Sequence, residues 1–454
     1  MEKYTGFSGR ASLAAMGLWM KTQRIWEEIE ARVKIRQKVL QHTPTDKLKD
    51  VLMTILAGGR GLVEANTRVR VDKALQLAFG RQGCAEQSTL SATLDASTPA
   101  NVTELAAALQ QIYRDQSAGY RHDYARGYQV LDIDLSALVA GGQAEGATKG
   151  YFAGHKNRRG RQLGRVVASR YGEIVYEKLY PGVVQLEKNL PELIQGAEAV
   201  LALDAERRSR TILRVDAGGG TDANINFWLA RGYLGLVKVK SWQRICKLAA
   251  SVTCWVPLPD RPDYAVGWVE APHAYVRPTR QLAVRWPNVA KGGWKYSVMV
   301  FNLAERDVFD FAQLPQPARV TDLALLTAVV TAYDRRGGGV ETSYKNSKQG
   351  LGLNQRNKKR FAAQEMLVLL AQLAYNLVHW VQHELAAQAA GLADFGTLRM
   401  VRDAFHIPGK LEFDPEGRLV AITLNQVHKL ASAFCTYWRA RFAQGQMCFS
   451  LGEI

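Results

Sequence analysis

Three features of the sequence predict a mixed α/β fold preceded by an all-helical N-terminal domain. Apolar residues recur at helical spacing through most of the first 120 positions. At Tyr128 the period changes to strand alternation, and two strands from there onward carry or border aspartates. Between residues 252 and 303, aromatic-rich runs separated by Pro and Gly predict a small antiparallel β insertion. The implied boundaries are 1–120 for the helical domain, 121–245 for the first part of the core and 246–310 for the insertion. The second part of the core follows at 311–395, and a C-terminal hairpin and helix at 396–454.

Composition narrows the function. A chain of 454 residues accommodates two or three domains. Its 47% hydrophobic content, 17 Tyr and 10 Trp exclude a disordered protein. The formal charge of +17 implies a polyanionic partner, most simply nucleic acid. Met1-Glu2-Lys3-Tyr4 lacks the following apolar run of a signal peptide. The most apolar stretch, 361–393, is interrupted by Gln364, Glu365, Asn376, His379 and His383, which predicts a buried helix and no membrane span. Five scattered cysteines without CxxC spacing predict reduced thiols and a cytoplasmic protein.

In chain order, Thr45-Asp46-Lys47-Leu48 offers a helix cap, and Leu48, Val51, Leu52, Ile55 and Leu56 share one face. Val71–Phe79 and Glu86–Leu94 flank the glycine turn at 80–84, with Arg68, Arg70, Lys73 and Arg81 nearby. That combination suits a DNA-reading helix-turn-helix, although many helical domains contain such corners. Gln129 to Ser136 then alternates as a strand with Asp132 and Asp134 on one face. Aspartate suits strands poorly, so two in register suggest a purpose such as metal binding over a solvated edge. His155-Lys156-Asn157-Arg158-Arg159-Gly160-Arg161 forms a dense basic loop, a phosphate-contacting surface or a solvated charge run.

Thr211 to Val215 predicts a short apolar strand ending at Asp216, followed by Ala217-Gly218-Gly219-Gly220 and a helix from Ala223. A carboxylate at a strand's C-terminal end, beside a glycine turn and a helix start, occupies the usual ligand position of α/β folds. The glycines lack GxGxxG spacing, which weakens a dinucleotide reading. Gly235–Lys240 is the next strand. The insertion's tryptophans, at 255, 268, 286 and 294, fit core packing better than base stacking.

The segment Tyr333-Asp334-Arg335-Arg336-Gly337-Gly338-Gly339-Val340-Glu341 continues through Tyr344, Lys345 and Lys348. If 340–349 is helical, Glu341 and Lys348 lie two turns apart with Tyr344 and Lys345 between them. A carboxylate among cations can ligate a divalent metal while its neighbours grip phosphates, or can be an ordinary solvated pair.

An aspartate on a first strand, an aspartate ending a later one and a distant helical glutamate together resemble the DDE transposases of bacterial insertion sequences. The resemblance runs from about Gln129 onward. Tyr333, Arg336, Glu341 and Lys348 look like that family's Y-(2)-R-(3)-E-(6)-K signature, with four residues in place of three between Arg336 and Glu341. The context of Asp216 looks like the middle motif. For the first aspartate Asp134 is preferred, since Ser136 completes the family's Asp-x-Ser/Thr, with Asp132 the alternative.

The resemblance implies an RNase H-like core interrupted by β-strands. It also implies Asp134, Asp216 and Glu341 as catalytic ligands of two Mg²⁺ ions, with Mn²⁺ able to substitute. One ion would activate water or a DNA 3′-hydroxyl and the other stabilise the leaving 3′-oxygen. Tyr333, Arg336, Lys345 and Lys348 would position phosphates, and Arg158, Arg159 and Arg161 would bind DNA more generally. The implied partners are the element's terminal inverted repeats and target DNA, engaged by a homodimer in the bacterial nucleoid. Two rivals stand beside this reading: a structure-specific nuclease on the same fold, and a catalytically dead DNA-binding relative.

Overall fold

The computed structural model describes residues 3–39, 41–150, 152, 158–387, 389–443 and 447–454. The His155-Lys156-Asn157 part of the basic loop lies outside the described residues. The chain divides into two compact units. One comprises 1–117, 138–148 and 344–454, and the other 118–137 and 149–343.

Strands are numbered along the chain. The first unit opens with β1 (Tyr4–Ser8). Then follow β2 (Gln129–Val139), β3 (Thr148–Lys149), β4 (Arg159–Ala168), β5 (Glu173–Pro181), β6 (Thr211–Val215) and β7 (Leu234–Lys238). The region expected as an insertion supplies β8 (Val256–Leu258), β9 (Arg261–Trp268), β10 (Arg280–Pro287) and β11 (Trp294–Phe301). The first unit resumes with β12 (Gly409–Phe413), β13 (Leu419–Asn425) and β14 (Cys448–Gly452).

The first unit is built around the helix Phe361–Ala386, which packs against the helices Pro44–Leu56, Gln87–Ala96 and Pro99–Gln116. It is long and apolar enough to cross a membrane by composition, yet 89% of its most apolar window is buried inside the protein. Two of its neighbours start alike. Thr43 and Thr98 each cap a helix that has proline in its first turn, satisfying amide groups no helical carbonyl reaches. The expected all-helical N-terminal domain carries a strand, because β1 pairs with β12 in the sheet β1-β12-β13-β14. N-terminal and C-terminal segments therefore share one unit.

The helix-turn-helix expectation also changes. The helices Lys73–Ala78 and Gln87–Ala96 are separated by an eight-residue connection, 79–86, longer than a tight corner. Arg81 is buried and donates to Asp50, so it braces this connection and is withdrawn from DNA.

The second unit is organised by a ten-stranded sheet of order β3-β4-β2-β6-β7-β11-β10-β9-β8, with β5 on the far side of β4. The strands β2, β6 and β7 are parallel neighbours. All five residues of β6 are buried, as expected of a short apolar strand inside a sheet. The region 252–303 forms antiparallel hairpins as expected, but they are no separate domain. Met299–Phe301 of β11 pair with Leu236–Lys238, so the hairpins extend the same sheet beyond β7. A core of Leu282, Val284, Met299 and Phe301 packs with Leu325, Val329 and Tyr333 of the helix Asp322–Asp334. Trp268 and Trp286 pack against this core, whereas Trp255 and Trp294 flank the Arg285 guanidinium at 4.5 and 4.6 Å from their ring centroids.

Candidate active site

Strand register places the first two acidic candidates together. Ile133 pairs with Val215, and Val215 with Val237. The next residue on each strand points to the opposite face from these buried apolar side chains. Asp134, Asp216 and Lys238 therefore stand in one row across β2, β6 and β7. Two residues earlier on the same face, Asp132 is registered with Arg214.

These two rows differ in chemistry. Asp132 is fully buried and both its oxygens accept from Arg214, Nε to Oδ1 at 2.6 Å and Nη2 to Oδ2 at 2.7 Å. The third arm of Arg214 donates to the Ala332 carbonyl at 2.6 Å, tying the helix Asp322–Asp334 to the sheet. Asp132, the alternative first ligand, is thus spent on a structural ion pair. Asp134 keeps a partly exposed carboxylate. Burial pushes its pKa up to about 6, Arg336 draws it down, and the Asp216 charge pushes it up again.

Asp216 is held by its own turn. Its Oδ1 accepts from the Gly218 amide at 2.8 Å, and the following 3₁₀ turn packs on the end of β7. A Cβ at Gly220 would overlap the Lys238 carbonyl oxygen, so only glycine permits this approach.

Glu341 begins the short helix Val340–Lys345, continued by a π-helical turn over Asn346–Gly350. The expected helix over 340–349 is present with a widened last turn. Two contacts fix its start. Arg165, fully buried with Glu177, donates to Ser343 Oγ at 2.9 Å, and that hydroxyl donates to the Val340 carbonyl at 2.7 Å. Gly339 lies so close to β2 that a Cβ there would overlap Asp132 Oδ2.

Arg336 links the acids. Its Nη2 lies 2.7 Å from Asp134 Oδ2 and its Nη1 donates to Glu341 Oε1 at 2.8 Å. The guanidinium is buried, its pKa raised by the neighbouring carboxylates against the burial cost, and its Nε has no hydrogen-bond partner among the described residues. Tyr333 is 6% exposed, and its ring lies 4.1 Å from the Lys238 ammonium.

Lys345 and Lys348 belong to the other compact unit, where the Lys348 ammonium lies 5.7 Å from the Tyr344 ring centroid. Arg158 and Arg159 are exposed. Arg161 is 1% exposed, which corrects its assignment as a DNA contact: β4 is covered on both faces, and nine of its ten residues are buried. Beside the Asp132–Arg214 pair opens a cavity of about 520 Å³ lined by Tyr128, Ser169, Arg170, Phe311 and Arg335 among others, and none of the three carboxylates lines it.

Lys238 and Arg214 were not singled out from the sequence, but a signal was there. β7 ends an apolar run on Lys238, and Arg214-Val215-Asp216 at the end of β6 mirrors Asp-x-Asp on β2 with opposite charge at the first position.

Three carboxylates offer oxygen donors that suit a hard divalent cation. Among the described residues no three His, Cys, Asp or Glu side chains are close enough together to hold one; the Arg336 guanidinium bridges Asp134 to Glu341 instead. The donor chemistry fits, with arginine supplying the compensating charge.

A family model described as Transposase DDE domain group 1 matches residues 10–402. No curated protein matches the chain. Among solved structures the chain is similar to a piggyBac transposase in a cryo-EM synaptic complex with hairpin DNA, at 10% identity and a TM-score of 0.47, over 96% of this chain and 84% of that one. With the family match spanning most of its length, the chain belongs to the transposase DDE domain group 1 family.

Proposed function

We propose that this protein binds the terminal inverted repeats of its own element, cuts the DNA at their ends and joins the freed 3′-hydroxyl to target DNA. The observation that carries this reading is the register of Asp134 with Asp216 on parallel neighbours, with Glu341 joined to Asp134 through Arg336. The strand order β5-β4-β2-β6-β7 supports an RNase H-like core. The charge of +17 supports a DNA partner. A homodimer on DNA and a place in the bacterial nucleoid complete the proposal.

Asp134, Asp216 and Glu341 would hold divalent metal, Mg²⁺ by preference. It supplies Lewis-acid activation of the attacking oxygen and stabilisation of the leaving one. The chain's own part is positional. The Gly218 amide fixes the Asp216 carboxylate, and Arg165 with Ser343 fixes the start of the Glu341 helix. Arg336 supplies positive charge between Asp134 and Glu341, which offsets their repulsion of a phosphate. In the first reaction a water oxygen bonds to phosphorus and the P–O3′ bond breaks, leaving a 3′-hydroxyl. In the second that hydroxyl oxygen attacks a target phosphorus and the target's 3′-oxygen leaves, so bond number is conserved and no external energy source is required.

The test incubates purified protein with a plasmid carrying the gene's native flanking DNA, with Mg²⁺ or with EDTA. Metal-dependent breaks at the element ends with strand joining are expected. Glu341→Gln should abolish cleavage while leaving DNA affinity within about threefold, because it removes a charged ligand without removing phosphate contacts. Cutting without joining would indicate a nuclease, and tight binding without cutting a dead relative. Cleavage by Glu341→Gln at the wild-type rate would remove Glu341 from the site.

A further inference from the structure

Lys238 occupies the position on β7 that Asp216 occupies after β6 and Asp134 on β2. Adjacent strands are about 4.8 Å apart, so its backbone stands one strand spacing from Asp216 along the same edge. Its surroundings leave the ammonium uncommitted. Asp334, a nearby carboxylate, is paired with Arg261, and Arg336 is already shared between Asp134 and Glu341. Lys240, two residues on, is paired with Glu187. Among the described residues the Lys238 ammonium makes no salt bridge and donates no hydrogen bond; it lies over the face of Tyr333, 4.1 Å from the ring centroid. An aromatic face holds a cation in place without using its N–H donors.

The position is rigid. Beyond the fit of Gly220 against the Lys238 carbonyl, the Lys240 amide donates to the Gly220 carbonyl at 2.9 Å, and Met299 of β11 is registered opposite Lys238. The turn that orients Asp216 and the strand that carries Lys238 are therefore one packed unit. Burial also lowers the Lys238 pKa, consistent with an ammonium screened from water.

We propose that Lys238 contacts the scissile phosphodiester, placing its ammonium on a non-bridging oxygen of the phosphate that faces Asp134 and Asp216. The inference rests on the DNA-cutting reading above and adds a residue to it. A row of carboxylates alone repels a phosphodiester; a fixed cation at the end of the row supplies attraction that grows as charge builds on the phosphate oxygens in the transition state. Tyr333 then serves as the platform beneath the lysine.

The experiment first maps the break on a plasmid carrying the native flanking DNA. It then follows single-turnover cleavage of a duplex centred on that break by the full-length wild type, Lys238→Met and Lys238→Arg. At saturating DNA, Lys238→Met is expected to lower the cleavage rate about 100-fold, with the dissociation constant changing less than about threefold. Lys238→Arg should recover at least about tenfold of that loss, since it restores the charge. The decisive arm replaces the scissile phosphate with a neutral methylphosphonate. If Lys238 touches that phosphate, the losses from Lys238→Met and from the methylphosphonate are not additive. Full additivity, or wild-type cleavage by Lys238→Met, overturns the proposal while wild-type cutting keeps the transposase reading intact. A wild type that cuts no DNA removes both. Should Lys238→Met unfold, Lys238→Arg on the two duplexes gives the same comparison.

Discussion

The second unit contains two triple-glycine turns that look alike in sequence and are constrained differently. In Gly218-Gly219-Gly220 two of the three are crowded: a Cβ at Gly219 would lie 2.6 Å from Val215 Cγ1, and one at Gly220 would overlap the Lys238 carbonyl. In Gly337-Gly338-Gly339 only the last is crowded, against Asp132, while the first two have no neighbour within 4 Å of an added Cβ. Crowding decides what each turn can do. The first locks Asp216 to β7, so its carboxylate has one place. The second pins the start of the Glu341 helix at Gly339 and leaves space beside 337–338, where the turn is held by its backbone hydrogen bonds and by the Thr342 hydroxyl on the Gly337 carbonyl.

That contrast can be broken by adding one methyl group at a time. Gly220→Ala should cost the most, about 1–3 kcal/mol, because its neighbour is a strand carbonyl that cannot move without breaking the sheet. Urea unfolding would read it. Gly339→Ala should cost less stability but more activity, since the added Cβ meets a side-chain oxygen of Asp132 and displaces the start of the helix that carries Glu341. DNA cleavage falling by more than tenfold alongside a stability loss under about 1 kcal/mol is the expected pattern.

A third measurement addresses the carboxylate between the turns. The folded pKa of Asp134 is raised to about 6, so its contribution to stability is present below its unfolded pKa near 4 and is lost as pH rises through 6. Metal-free wild type should therefore lose stability between pH 4 and 6 relative to Asp134→Asn, by about 1 kcal/mol once solvent screening of this partly exposed group is counted. Thermal melts of both proteins across that range check it; parallel curves would place Asp134 away from burial and from Asp216. The smallest effect belongs to Gly337→Ala, within about 0.5 kcal/mol and with cleavage unchanged.

Much of the second unit was legible in the sequence because its signals are local. An apolar run ending at Asp216 marked β6, and alternation marked β2. What escaped depends on partners distant in sequence. Strand alternation alone puts Asp132 and Asp134 on one face, and only the nearby Ser136 favours the second; the pairing of β2 with β6 is what gives Arg214 to one and Asp216 to the other. Arg161 reads as part of a basic loop until β4 acquires neighbours on both faces. Likewise, 246–310 reads as a separate insertion because its own hairpins are self-contained in sequence, and nothing local announces that β11 will pair with β7.

That last pairing limits how the protein can be trimmed. Hairpins tethered by a hinge could be deleted to leave a smaller catalytic fragment. Here, removing 252–303 would strip β7 of its β11 partner along Leu236–Lys238 and uncover the apolar faces of Leu325 and Val329. The shortened chain would present a bare strand edge beside exposed core, the combination that recruits another copy of the same edge, so a minimal version made this way should aggregate.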